Sequence, residues 1–136
     1  MTSDSPLHIA LHFVELINKH DVRGLTNLMA EDHAFIDSLG AEVRGRKQMH
    51  EAWVAYFVMV PDYAVEVHET FVSGGIVVML GKAGGTFSPD GTLKQENRWQ
   101  IPAVFRAVVL NGRIKEWRVY ADNEPVRALM AGKAPS

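Results

Sequence analysis

The chain has 136 residues, of which 47% are hydrophobic and 22% charged, with a net charge of −2. These values suit a single domain over residues 1–136 with one substantial core, and they leave no basic stripe to track nucleic acid. There is no cysteine, which excludes disulfides, thiolate metal sites and cysteine nucleophiles.

The start, Met1 to Pro6, is polar and lacks the basic opening and apolar centre of a signal peptide. No apolar run approaches the roughly 20 residues that cross a bilayer. The expectation is a soluble, cytoplasmic protein with neither nucleic acid nor membrane as partner.

Ser5-Pro6 opens a first helix, with serine as cap and proline in the first turn, where its missing N–H costs nothing. Ile9, Ala10, Phe13, Leu16 and Ile17 fall on one face, and His8, His12, Glu15 and Lys19 on the other. Asp21 caps a second helix running to about Met29. A strand is expected from His33 to Ser38, turning at Leu39-Gly40. Gly45-Arg46-Lys47 leads into a third helix. Its apolar face carries Met49, Ala52, Trp53, Tyr56, Phe57 and Val60, and Pro61-Asp62 stops it.

From Tyr63 the pattern is strand. Tyr63 to Val72 and Ile76 to Phe87 flank Ser73-Gly74-Gly75. Arg98 to Leu110 and Arg113 to Asp122 flank Asn111-Gly112, the strongest short hairpin signal. Asn123-Glu124-Pro125 begins a short last helix through about Met130. The order predicts an α+β fold. Three N-terminal helices cover one face of a strongly curved, largely antiparallel sheet, and the resulting cone encloses an apolar cavity.

Asp37 lies in Ala34-Phe35-Ile36-Asp37-Ser38-Leu39-Gly40, an apolar run that ends at a turn. A carboxylate there either faces water, bonded to the turn backbone, or sits in an apolar pocket as a proton carrier. Arg106 interrupts another apolar run. A two-residue turn with Leu110 opposite Arg113 sets Arg106 opposite Trp117. If that face is concave, Arg106 meets Asp37 or a substrate anion, and Ile101, Ala103, Phe105, Ala107, Ile114 and Tyr120 form an outer surface. A slip of one residue exchanges the faces.

Four segments carry a likeness to a known family: Met29-Ala30-Glu31-Asp32 leading to Asp37; Gly45 to Met49; Val60 to Val67; and Asn111 to Asp122. In this order the chain resembles the NTF2-like superfamily. Within it the likeness is to the SnoaL-like polyketide cyclases, with ketosteroid isomerases and limonene epoxide hydrolases as cousins. The resemblance implies the cone fold and a homodimer. It places Asp37 where ketosteroid isomerases keep a proton-shuttling aspartate. Their oxyanion tyrosine would fall at Phe13, and their oxyanion aspartate near Arg106. Val119 stands where the cyclases and epoxide hydrolases carry a working aspartate.

The expected catalytic set is therefore Asp37 as base, with Arg106 or Tyr56 steadying an enolate. The tyrosine would replace the donor missing at Phe13. Phe13, His33, Trp53, Phe57, Trp117 and Val119 are candidate substrate contacts, although aromatic residues at helical spacing also serve as plain core. His8 and His12 are spaced i, i+4, but on a polar face with no third ligand, so neither a metal nor a cofactor is expected. The glycines in Gly81 to Thr86 lack phosphate-loop spacing and mark bends instead. Two functions stay open: a cofactor-free isomerase, cyclase or dehydratase acting on a small hydrophobic carbonyl compound, and a non-catalytic dimeric module that binds such a ligand.

Overall fold

A computed structural model describes residues 5–132; the polar start before Ser5 and the tail beyond Gly132 lie outside the described residues. Four α-helices and six strands follow in chain order: α1 (Pro6–Asn18), α2 (Val22–Leu28), β1 (Met29–Ile36), β2 (Glu42–Arg44), α3 (Arg46–Met59), β3 (Ala64–Ser73), β4 (Ile76–Thr86), β5 (Arg98–Leu110), β6 (Arg113–Tyr120) and α4 (Glu124–Met130). The strands form one sheet in the order β2-β1-β6-β5-β4-β3. Only β1 and β6 run parallel among these neighbours, so the sheet is mixed.

The helix starts follow local chemistry. Ser5 Oγ accepts the His8 N–H at 3.2 Å, and Asp21 Oδ1 accepts the Gly24 N–H at 2.9 Å, each satisfying a donor with no partner inside its helix. Helix α1 lies on the concave face and buries Ile9, Ala10, Phe13, Val14, Leu16 and Ile17. Each large apolar side chain removed from water stabilises the fold by about 1.5–3 kcal/mol. At the end of α1, the Asn18 side chain accepts the Val65 N–H at 2.8 Å and donates to the Val65 carbonyl at 2.9 Å. One side chain thus pairs with β3 as a neighbouring strand would.

Strand β1 begins at Met29, earlier than the sequence pattern predicts. Its parallel pairing opens at Met29↔Ile114 and resumes at Ala34↔Glu116. The charged residues Glu31 and Asp32 lie exposed between those pairs and mask the strand pattern. A second irregularity lies in β3, where Val67↔Gly81 is followed by Glu69↔Leu80. A Cβ built on Gly81 would come within 1.8 Å of the Glu66 carbonyl oxygen, so only glycine permits this approach.

The β5–β6 hairpin turns at Asn111 (φ 54°) and Gly112 (φ 75°), and Leu110 pairs with Arg113 as expected. The register then shifts between Val108 and Val109. In consequence Arg106 pairs with Arg118 and Ala107 with Trp117, which corrects the expected Arg106–Trp117 pair. Ile101, Ala103, Phe105, Ala107 and Ile114 all point into the core, so they do not form the outer surface that an inward Arg106 would have required.

Candidate active site

The concave side holds a cavity of about 320 Å³. Its wall comes from β1, α3, the inner faces of β4, β5 and β6, and α4. Cavities of this size hold small organic molecules. Most of its lining is apolar, and Asp37 is its one carboxylate.

Aromatic rings form a continuous arc along the wall. Phe35 meets Trp53 edge-on at 6.4 Å between centroids, and Trp53 meets Tyr56 edge-on at 6.4 Å. Tyr56 meets Tyr63 edge-on at 4.9 Å, and Tyr63 lies 6.1 Å from Trp99. These are favourable edge and tilted geometries. The helical spacing of Trp53 and Tyr56 on α3 makes the first part of the arc. The chain reversal after α3 brings in Tyr63, whose carbonyl accepts the His20 Nε2–H at 2.8 Å and whose N–H donates to the Val60 carbonyl at 3.0 Å. Trp99 comes from the start of β5.

Asp37 sits just past β1, half-buried at the cavity wall. Its Oδ1 accepts the N–H of Leu39 at 2.9 Å and of Ala41 at 3.0 Å. The turn-bonded environment weighed from the sequence is the one observed, and the same residue also lines the cavity. These two backbone bonds fix its orientation. Next to it, Ser38 Oγ accepts the Asn123 side-chain N–H at 2.7 Å, which ties this turn to the start of α4. Helix α4 completes the rim, with Val126 buried and Arg127 and Met130 exposed.

The other sequence candidates divide. Trp53, Tyr56, Trp117 and Val119 line the cavity. Phe13 does not; it is fully buried beneath the floor, 4.7 Å from the Trp117 ring and 6.3 Å from His33. Phe57 packs behind Trp53 and stacks on His20 at 4.1 Å, also away from the cavity. His33 is wholly buried, and its Nδ1–H donates to the Ile114 carbonyl at 2.8 Å. Burial holds its pKa below the usual histidine range, so the ring is neutral, and Nε2 has no partner among the described residues.

Arg106 lies on the convex face, opposite the cavity, where its guanidinium pairs with Glu116. It therefore does not reach Asp37 or a ligand in the cavity. The physical cause is the bulge: Ile114 and Trp117 both point inward, and Lys115 and Glu116 sit together between them.

Tyr63 is buried and Tyr56 half-buried, and this loss of water pushes both phenol pKa values above the usual range. Both hydroxyls stay protonated at physiological pH and act as donors. Sequence reading missed Tyr63, Trp99, Ser38 and the α4 residues. Trp99 shares inward parity with Ile101, Ala103 and Phe105, so the corrected register finds it. Tyr63 and α4 reach the cavity only through tertiary packing. Among the described residues, no three His, Asp or Glu side chains converge in a group that would hold a metal ion.

Residues 10–117 match the family model of the SnoaL-like domain. No curated protein sequence matches the chain. Among solved structures, a SnoaL-like polyketide cyclase candidate from Jannaschia sp. CCS1 superposes with a TM-score of 0.80 at 18% identity, over 100% of both chains. IdmH, a polyketide cyclase candidate from Streptomyces antibioticus, gives 0.76 at 22% identity, over 94% of this chain and 99% of its own. An LEH-like epoxide hydrolase from M. tuberculosis gives 0.76 at 17% identity, over 93% and 90%. At these identities the likeness concerns the fold.

Proposed function

The chain belongs to the SnoaL-like family, and from that premise we propose that it is a cofactor-free proton-transfer catalyst acting on a small hydrophobic carbonyl compound. The observation that carries this reading is Asp37, the one carboxylate on the wall of a mostly apolar cavity, held in place by two backbone bonds to Oδ1. In the proposed step, Asp37 takes a proton from the carbon beside the carbonyl. The electron pair moves onto the carbonyl oxygen as an enolate, and the Tyr56 hydroxyl donates to that oxygen. The enolate then has three fates. Reprotonation at another carbon is isomerisation, attack on a second carbonyl is cyclisation, and loss of a β-hydroxyl is dehydration.

The test is exchange of the α-protons of α-tetralone in deuterated buffer, followed by proton NMR. The protein should accelerate exchange, and Asp37→Asn should slow the protein-dependent rate by about 10²–10⁴-fold while tetralone binding changes little. An Asp37→Asn variant as fast as the original chain would sink the reading.

A second reading is a non-catalytic binding module. It is favoured by the resemblance, which sets Phe13 at the oxyanion tyrosine of ketosteroid isomerases and Val119 at the working aspartate of the cyclases and epoxide hydrolases. In that case tetralone binds and its exchange is not accelerated.

Either function is proposed to operate as a homodimer joined through the convex face. There Val78, Val104 and Val108 are half-buried and Leu110 and Tyr120 exposed, around the Arg106–Glu116 pair. Light scattering that gives the mass of one chain would rule this out.

A further inference from the structure

The charged and amide groups of the cavity are gathered on one side. The walls supplied by α3, β4, β5 and β6 are apolar or aromatic, whereas Asp37, Ser38, Asn123 and Arg127 come from the β1–β2 turn and the α4 segment bonded to it. Arg127 is the one cation among the described lining residues. Its N–H donates to the Asn123 carbonyl at 2.9 Å, so it stands one helical turn beyond the residue that holds Ser38. Four residues of helix rise about 6 Å along the axis. The rim thus carries a carboxylate beside Ser38 and a guanidinium one turn farther along α4.

No ion pair joins these two charges among the described residues. Two backbone N–H groups bond Asp37 Oδ1. Arg127 Nη2 donates to Glu124 Oε2 at 3.1 Å, with both side chains exposed, at 45% and 69%. An exposed pair three residues apart on a helix is worth only about 0.2–0.5 kcal/mol, so a ligand anion that fits can displace Glu124. A guanidinium presents N–H donors in a planar fork that matches a carboxylate.

We propose that Arg127 is a specificity-determining residue that takes a carboxylate of the ligand at the α4 side of the rim. The ligand class is thereby narrowed to hydrophobic keto acids. Their apolar ring system lies against the aromatic wall, and their carboxylate lies outermost. The like charge of Asp37 repels that carboxylate, so the ligand enters with one orientation. The ketone in this class rests on the reaction proposed above, and the carboxylate rests on Arg127 alone. The role of Arg127 requires that the cavity be the ligand site and is independent of whether Asp37 moves a proton.

The experiment uses matched tetralones that carry, on the aromatic ring, a carboxylate, the isosteric carboxamide or an aminomethyl group. Calorimetry on the full chain at about 0.01 M ionic strength should show the carboxylate binding about fivefold tighter than the carboxamide, as one partly exposed ion pair implies. At about 1 M ionic strength, where screening acts within about 3 Å, that preference should shrink below about twofold, a readout that needs no variant to fold. Arg127→Gln should erase the preference while moving carboxamide affinity by less than about twofold, and Arg127→Lys should keep part of it. Glu124→Gln should raise carboxylate affinity, because the competing anion is gone.

Equal binding of carboxylate and carboxamide overturns the proposal. So does a preference that survives Arg127→Gln or high salt, weaker carboxylate binding in Glu124→Gln, or tightest binding by the aminomethyl compound. If no tetralone binds, the cavity reading falls with it. If the carboxylate preference appears and Asp37→Asn leaves proton exchange unchanged, the role of Arg127 stands and the catalytic reading alone fails. If the preference is absent and exchange depends on Asp37, catalysis stands and the role of Arg127 alone fails.

Discussion

Phe105 and Arg106 are neighbours in the chain and occupy opposite worlds. Phe105 is 1% exposed and stacks 5.7 Å from Trp117 under the cavity floor, whereas Arg106 pairs with Glu116 above the convex face. The inner face is ordered by close packing, which tolerates little change. The outer face is ordered by a half-exposed ion pair, which in water is worth little. The cavity is thus held from behind by packed apolar side chains, and the charges that look informative in the sequence belong to the other surface.

Substitutions on the two faces should separate by size of effect. Phe105→Ala should cost about 3–5 kcal/mol in denaturant unfolding, through lost burial and the hole it leaves. The inner face also holds a neutral His33, whose folded pKa lies below its ordinary 6.5. Above pH 6.5 neither the folded nor the unfolded chain binds a proton there. As the pH falls below 6.5, the unfolded chain takes up a proton first, so stability falls until the lowered folded pKa is reached. The slope from this residue is at most about 1.4 kcal/mol per pH unit. Comparing unfolding curves of the original chain and His33→Gln from about pH 7 down to about pH 5 should show that slope removed.

Gly112→Ala tests the turn between β5 and β6. It forces a side chain onto a φ of 75° and should cost about 1 kcal/mol, read as a lower melting temperature. The smallest effect belongs to the outer face. A double-mutant cycle on Arg106→Ala and Glu116→Ala should return a coupling of about 0.2–1 kcal/mol. A coupling of several kcal/mol would show that the pair is buried in solution, as a dimer through this face would make it.

Much of this fold is local and therefore legible in the sequence. The Ser5 and Asp21 caps, the Asn111-Gly112 turn and the Leu110–Arg113 pair follow from residue chemistry alone. The facing of Arg106 did not, because one extra residue in β6 reverses everything beyond it. The trace of that residue is the three-residue step from Ile114 to Trp117 where alternation requires two, a pattern that also fits an ordinary strand until the partner is known. Asp37 was legible as a residue of interest, and its bonds to the turn were one of the two environments expected. The far end of the cavity was not legible. Tyr63 reads as the start of a strand, and its place beside Tyr56 and Trp99 depends on how α3 meets β4 and β5. Helix α4 was visible as a helix, but its part in the cavity rim rests on the Asn123–Ser38 bond, which joins residues 85 positions apart.

The chain has three tryptophans, and all of them, Trp53, Trp99 and Trp117, line the one cavity. Its tryptophan emission therefore originates from the wall of that chamber. Any compound that enters and excludes water or quenches an indole should change the tryptophan signal, so unlabelled protein can serve as its own optical sensor when compound collections are screened for a ligand.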